Sequence, residues 1–323
     1  GSVWLDSLRS AQNPPVPEEN IFLVPGNHDV NRSSISAKDQ EWLRHLPGSY
    51  DDRKDRIRKL IDDGGAEWQD FMKRLHSYKA CVEDFYAHLV QDSNRLLYAV
   101  TREVSGLKIG IAGFNSAWSC GVDDKKGKLW LGGEWQLESL AAKLGGTDLR
   151  IALIHHPLNC LVEEEDPRLK PRLQSEFHVL LHGHEHQQWI EQPQPDHLHI
   201  AAGASLDRPG AELGYNLVTF DLDAGRGEVW LRTFDHRTGR WKADNVPGRT
   251  DDRGIWLLDR LPWIAIAAPN SAKSEEPAAV ATEARLTLTA AESRGVFGRE
   301  DDIRRLRQQL VKTPVMIAYG LSG

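Results

Sequence analysis

Cysteine is scarce in this sequence. Three occur in 323 residues, Cys81, Cys120 and Cys160, and no two form a Cys-x-x-Cys pair. That distribution argues against a disulfide framework and a cysteine-rich structural zinc site, and it fits a reducing, cytoplasmic compartment. No apolar run is long enough to span a bilayer and no secretory leader is visible, so no membrane partner is expected. A basic field is also missing: the net charge is −7 and the pI about 6.0, so charge alone does not advertise binding to long nucleic acid. A bound cation would still attract phosphate without such a field. No internal repeat is apparent. The remainder is ordinary, 40% hydrophobic and 27% charged, with length for one large domain or two smaller ones.

What is present is organised around residues 24–30, Val-Pro-Gly-Asn-His-Asp-Val. The apolar run Ile21 to Val24 reads as a buried strand, ended by Pro25 and Gly26 in a tight turn. Before it, Trp4 to Ala11 reads as a short helix. Residues 31–95 change character: Trp68, Phe71, Met72, Leu75, Val82, Phe85, Tyr86 and Leu89 recur at helical spacing. They predict a helical insertion whose aromatics pack rather than hold a cofactor. Strands are then expected over 96–101, 107–114, 150–154, 177–181, 198–202, 215–221 and 227–234, the last two as a hairpin, with a helix over 134–144. Strands alternating with helices define an α/β chain. Residues 265–291 turn to Ala, Pro, Ser, Glu and Thr and read as a linker. An amphipathic helix over 299–311 and a strand over 315–319 follow.

Three polar clusters each follow a short apolar run: Asn27-His28-Asp29, His155-His156, and His182 through His186. Polar groups gathered at the ends of neighbouring strands are how open α/β sheets build sites. Asn27 alone could belong to a simple Asx turn, and a lone histidine is usually surface or satisfied core. His45, His76, His88, His178, His197, His199 and His236 fall in that class. Five of the 13 histidines, however, sit at strand ends between 155 and 186. Imidazoles with an amide oxygen suit Zn, Mn or Fe rather than Ca or Mg. His184 and His186, two apart in a turn, can face different directions and so serve two metals.

In order and context, Gly26-Asn27-His28-Asp29, then His155, then Gly183-His184-Glu185-His186 resemble the calcineurin-like metallophosphoesterases. The resemblance covers about residues 1–245 and includes Asn115-Ser116 and Gly214-Tyr215-Asn216. It implies a four-layer α/β/β/α sandwich of two mixed sheets, here with the helical insertion over 31–95. It also implies two divalent metals, with Mn preferred among Mn, Fe and Zn. Asn27, His155 and His184 would ligate one metal and His186 the other. His155 is preferred to His156 because the family's ligand directly follows its strand. His28 would face the phosphoryl group, Asp29 would hold its ring, and His182 and Glu185 would support the ligands. The sequence departs from the family at the front: the Asp-x-His and Gly-Asp motifs that precede Gly-Asn-His-Asp are missing. A chain truncated there is expected to be catalytically impaired.

The tail resembles the start of a STAND-type (NACHT or NB-ARC-like) P-loop ATPase. Val296-Phe297-Gly298-Arg299-Glu300, a charged helix, a strand and Gly320-Leu321-Ser322-Gly323 carry that likeness, without the phosphate-binding Lys. The resulting organisation is a metallophosphoesterase domain over 1–262, a linker over 263–292 and the beginning of a P-loop domain over 293–323. ATP is expected only in a downstream domain, through which subunits could also assemble. The expected activity is hydrolysis of a phosphomonoester or phosphodiester, possible substrates including a nucleotide or nucleic acid. The rival expectation is a non-catalytic regulatory or binding module that keeps the fold.

Overall fold

The computed structural model describes residues 15–261 apart from 105, 122–125, 133, 205–212 and 222–223, and the backbone of 316–319. The expected helix over 4–11, the linker, the helix over 299–311 and the glycine-rich tail lie outside the described residues.

Six strands form the first sheet: β1 (Tyr98–Val104), β2 (Leu107–Gly113), β3 (Leu149–Ile154), β4 (Val179–His182), β5 (Trp189–Gln194) and β6 (His197–Ala201). Their order is β1-β2-β3-β4-β6-β5. β2, β3, β4 and β6 run parallel, while β1 and β5 pair antiparallel at the two edges. The second sheet contains β7 (Gly214–Asp221), β8 (Arg226–Asp235), β9 (Arg240–Ala243), β10 (Ile255–Leu258) and β11 (Met316–Tyr319). Its order is β10-β8-β7-β11, with β9 also on β8. All its described pairings are antiparallel, which corrects the expectation of two mixed sheets. Short connections explain most of this, since parallel neighbours need a crossover of a dozen residues or more. The expected β7–β8 hairpin is present, in register from Gly214↔Thr233 to Asp221↔Arg226.

Strand periodicity divides the apolar residues between two cores. On β3, Leu149, Ile151 and Leu153 face a core shared with Val218, Phe220, Val229 and Leu231 of the second sheet. Ala152 and Ile154 face the other way, into a core shared with helices. Two of those helices are α5 (Trp135–Lys143) and α6 (Asp166–Glu176), which bury Leu137 and Leu140, and Leu169 and Leu173. The described residues thus form three layers, helix on sheet on sheet. The fourth, outer helical layer that the resemblance implied is not seen among the described residues.

The insertion is helical as expected: α1 (Ala37–Arg44), α2 (Tyr50–Asp63), α3 (Ala66–Met72) and α4 (His76–Phe85). A capping box between Ser49 and Asp52 opens α2, and Gly64 in the left-handed region (φ 59°) ends it. Its aromatics pack, Trp68 lying 5.2 Å from Trp118 between ring centroids and Phe71 5.8 Å from it. Phe85 is the exception and is exposed. Buried Arg74 bonds the carbonyls of Phe71 at 2.9 Å and Cys120 at 2.6 Å, joining the insertion to the segment after β2. Arg53–Glu164 and Arg58–Glu138 pairs tie α2 to the body of the domain.

One expected strand is not formed. Residues 21–24 are outside any ladder among the described residues. A strand exists only through its neighbours' hydrogen bonds. The run instead packs through side chains against the inter-sheet core, Phe22 lying 6.3 Å from Tyr98. His88 donates from Nε2 to the Ile21 carbonyl at 2.7 Å, so this histidine is satisfied, as expected.

Asn115 organises the chain where β2 ends. Its Oδ1 accepts from the amides of Ala117 and Trp118, both at 3.0 Å, and its Nδ2 donates to the Arg95 carbonyl at 2.9 Å. Asn115→Ala strands two buried amides, each costing about 1–3 kcal/mol. Urea unfolding of this variant is expected to show a loss of about 2–4 kcal/mol; a loss below about 0.5 kcal/mol would refute that account.

Candidate metal centre

Parallel pairing of β3 and β4 puts their ends side by side, with Ile154 opposite His182. His155 follows β3 directly, and the turn Gly183 to His186 follows β4. The Gly183 amide donates to the His155 carbonyl at 3.1 Å, locking the two ends together. The turn from Gly26 approaches from the side. A Cβ at Gly26 would lie 2.7 Å from the His155 ring, so only glycine lets the backbone come this close. Asn27 then reaches His155, its Oδ1 lying 3.0 Å from Nε2.

Asp29 closes that turn. Its Oδ2 accepts from the Gly26 amide at 2.8 Å, and its own amide donates to the Gly26 carbonyl at 3.1 Å. These hydrogen bonds serve the turn. The side chain of Asp29 still reaches the surface, but protein crowds it on the inner side. That desolvation raises its pKa above the ordinary carboxylate value, while the Gly26 amide pulls it down. His28 is exposed and close enough to act electrostatically on both His155 and His156.

His155, His156 and His184 each offer a donor nitrogen, all within 4.8 Å of one another. Their ring centroids lie 4.7 Å apart for His155–His156, 5.4 Å for His155–His184 and 4.7 Å for His156–His184. His156, passed over for His155 in the sequence, is thus part of the same cluster. Ser116 Oγ lies 2.8 Å from its Nδ1 and Cys120 Sγ 3.7 Å from its Nε2, so both ring nitrogens have neighbours. The His-His doublet was the available signal; which ring turns inward depends on Ser116 and Cys120, far away in sequence.

His184 and His186 hold left-handed backbone, φ 71° and 59°. Such conformations cost a side-chain-bearing residue about 1–3 kcal/mol and collect at functional sites. The Glu185 amide bonds the Gly183 carbonyl at 2.9 Å, and the Glu185 carboxylate accepts from Trp189 Nε1 at 2.8 Å, holding the turn. His186 stands outside the three-imidazole group, though it acts electrostatically on His155. The structure therefore brings Asn27, His155, His156 and His184 together and leaves His28 and His186 at the edge.

Burial, then the neighbouring imidazoles, push His155 down to about 3 and His156 well below its ordinary value. Both rings are neutral at physiological pH, as a metal requires of its histidine ligands. An amide oxygen with neutral imidazoles fits Zn, Mn or Fe. No carboxylate joins the three imidazoles among the described residues.

These features define a class, an α/β sheet whose strand ends offer imidazole and amide donors to a metal. Within it, the chain is similar to the "uncharacterized metallophosphoesterase-like protein YydB" of Bacillus subtilis (strain 168), with 24% identity over 255 residues. The match covers 73% of this chain and 49% of that protein, so the chain spans about half of its relative's length. No family profile matches the sequence.

Gly26→Ala is expected to displace the His155 ring and weaken Mn²⁺ or Zn²⁺ binding by at least about tenfold, with circular dichroism unchanged. Undiminished metal affinity would show that the close approach does not matter. A second expectation concerns acid. Burial holds His178 and His197 below the ordinary histidine value. In each, folding favours the neutral ring, so the unfolded chain takes up the proton first. The stability they contribute is complete above about pH 6.5 and is lost as the pH falls towards their folded pKa. Urea unfolding of EDTA-treated protein from pH 8 to 5 should show the loss, at most about 1.4 kcal/mol per pH unit for each histidine. A flat profile would contradict it.

Proposed function

We propose that this chain carries a metal-dependent phosphoesterase domain. The observation that carries the reading is the convergence of Asn27 Oδ1 and His155 Nε2, 3.0 Å apart, beside His184 at the ends of parallel strands. Similarity to a metallophosphoesterase-like protein supports it.

In this reading Asn27, His155 and His184 hold one divalent metal, and His186 contributes to a second position. The pair is drawn from Mn, Fe and Zn, with Mn preferred. Bound metals would supply a hydroxide nucleophile at neutral pH and polarise the phosphoryl oxygens. The protein's own residues do the rest. Burial keeps His155 and His156 neutral, with nitrogen lone pairs available. Asp29 fixes the turn that presents Asn27. His28, which is exposed, meets the phosphoryl group and stabilises charge developing there or protonates the departing oxygen. The substrate class is a phosphomonoester or phosphodiester, nucleotides and nucleic acid included. The tail's likeness to a P-loop ATPase suggests that this domain serves as the effector of a larger nucleotide-driven protein.

A second reading, a metal-binding module without catalysis, has one observation in its favour. No carboxylate stands among the clustered imidazoles in the described residues, so nothing there bridges two metals.

The two readings separate in one assay. The full-length protein with Mn²⁺ is tested on p-nitrophenyl phosphate and bis(p-nitrophenyl) phosphate. The phosphoesterase reading expects metal-dependent turnover, lost with metal content in Asn27→Ala. In His28→Ala, kcat should fall on the order of a hundred- to a thousandfold while metal content stays. Bound metal without turnover on either substrate supports the binding module.

A further inference from the structure

The metal position proposed above uses one histidine of the doublet that follows β3, because the expected ligand comes directly after its strand. The structure gives the second histidine an equal claim. One nitrogen each from His155, His156 and His184 lie within 4.8 Å of one another. The His156 ring stands midway between the other two, 4.7 Å from each between centroids. Strand alternation would send successive side chains to opposite faces. β3 stops at Ile154, however, and both histidines lie in the bend beyond it. That bend sets their rings nearly perpendicular, at 88°, and keeps both beside His184.

The surroundings of His156 are those of a held ligand. Ser116 Oγ accepts from the His156 amide at 3.4 Å and lies 2.8 Å from its Nδ1. A hydroxyl oxygen has two lone pairs, enough for both N–H groups. In that pairing Nδ1 carries the ring proton and Nε2 a lone pair. Nε2 meets the Cys120 thiol at 3.7 Å, a weak donor that a metal outcompetes. Fixing one ring nitrogen through an outer partner, so that the other is presented, is how metal-ligating histidines are oriented. Ser116 is itself held in place. It sits in the turn that Asn115 builds by accepting from the amides of Ala117 and Trp118. Both Ser116 and His156 are fully buried.

We propose that His156 is a further ligand of the metal assigned to Asn27, His155 and His184, and that Ser116 is the residue that positions its ring. The proposal rests on the metal-centre reading above and changes its donor set. Asn27 Oδ1 already lies 3.0 Å from His155 Nε2, so the set becomes three imidazoles and one amide oxygen. No carboxylate joins the imidazoles among the described residues. Imidazole suits zinc, whereas manganese favours carboxylate and other oxygen donors, so this position selects zinc.

The test titrates the full-length protein with Zn²⁺ alone, in competition with a chromophoric chelator. His156→Gln is expected to weaken zinc binding at least about a hundredfold and Ser116→Ala about tenfold. If Asn27→Ala or His184→Ala loses zinc while His156→Gln binds within about tenfold of the parent, the His156 assignment is overturned and the metal centre stands. If none of these variants weakens zinc binding, both are overturned. Cu²⁺ electron paramagnetic resonance separates a ligand from a supporting residue and does not depend on His156→Gln folding. With His186→Gly in place, coupling to three imidazole nitrogens supports the assignment, and any other count overturns it.

Discussion

The site depends on how closely the Gly26 backbone lies against the His155 imidazole. With 2.7 Å between that ring and the position of a Cβ, there is room for a hydrogen and nothing more. The contact makes two distant pieces of chain share one surface, and Asn27 meets Nε2 only because of it. The other side of the ring is set by strand pairing, through the Gly183 amide on the His155 carbonyl. One is a steric constraint and the other a hydrogen bond between neighbouring parallel strands. Together they fix an imidazole whose burial keeps it neutral.

The larger fold supplies the rigidity behind that arrangement. The six-stranded sheet is covered on both faces, by the second sheet on one and by helices on the other. Covered on both sides, β3 and β4 are largely apolar until they reach their ends. On these two strands polarity is concentrated where the strands stop, which is where His155, His156 and His184 stand.

Much of this was legible in the sequence because it is local. Short apolar runs followed by Asn27, His155 and His184 predicted strand ends, and two of those runs became β3 and β4. What could not be read was decided at long range. The run from Ile21 to Val24 has the right residues for a strand but no ladder partner among the described residues. Helix α6 was missed because only Leu169 and Leu173 of its eleven residues carry an apolar periodicity and Pro171 lies inside it. The part of His156 escaped because its ring orientation rests on Ser116 and Cys120, 40 and 36 positions away.

The left-handed backbone at His184 and His186 has an evolutionary consequence. Glycine would sit at either position with less strain, so selection for folding alone favours replacing the two imidazoles. On the proposed metal-binding reading, function and foldability pull in opposite directions at this turn. Lineages relieved of metal binding should drift toward glycine or asparagine there, and the turn becomes a record of whether a descendant still uses its site.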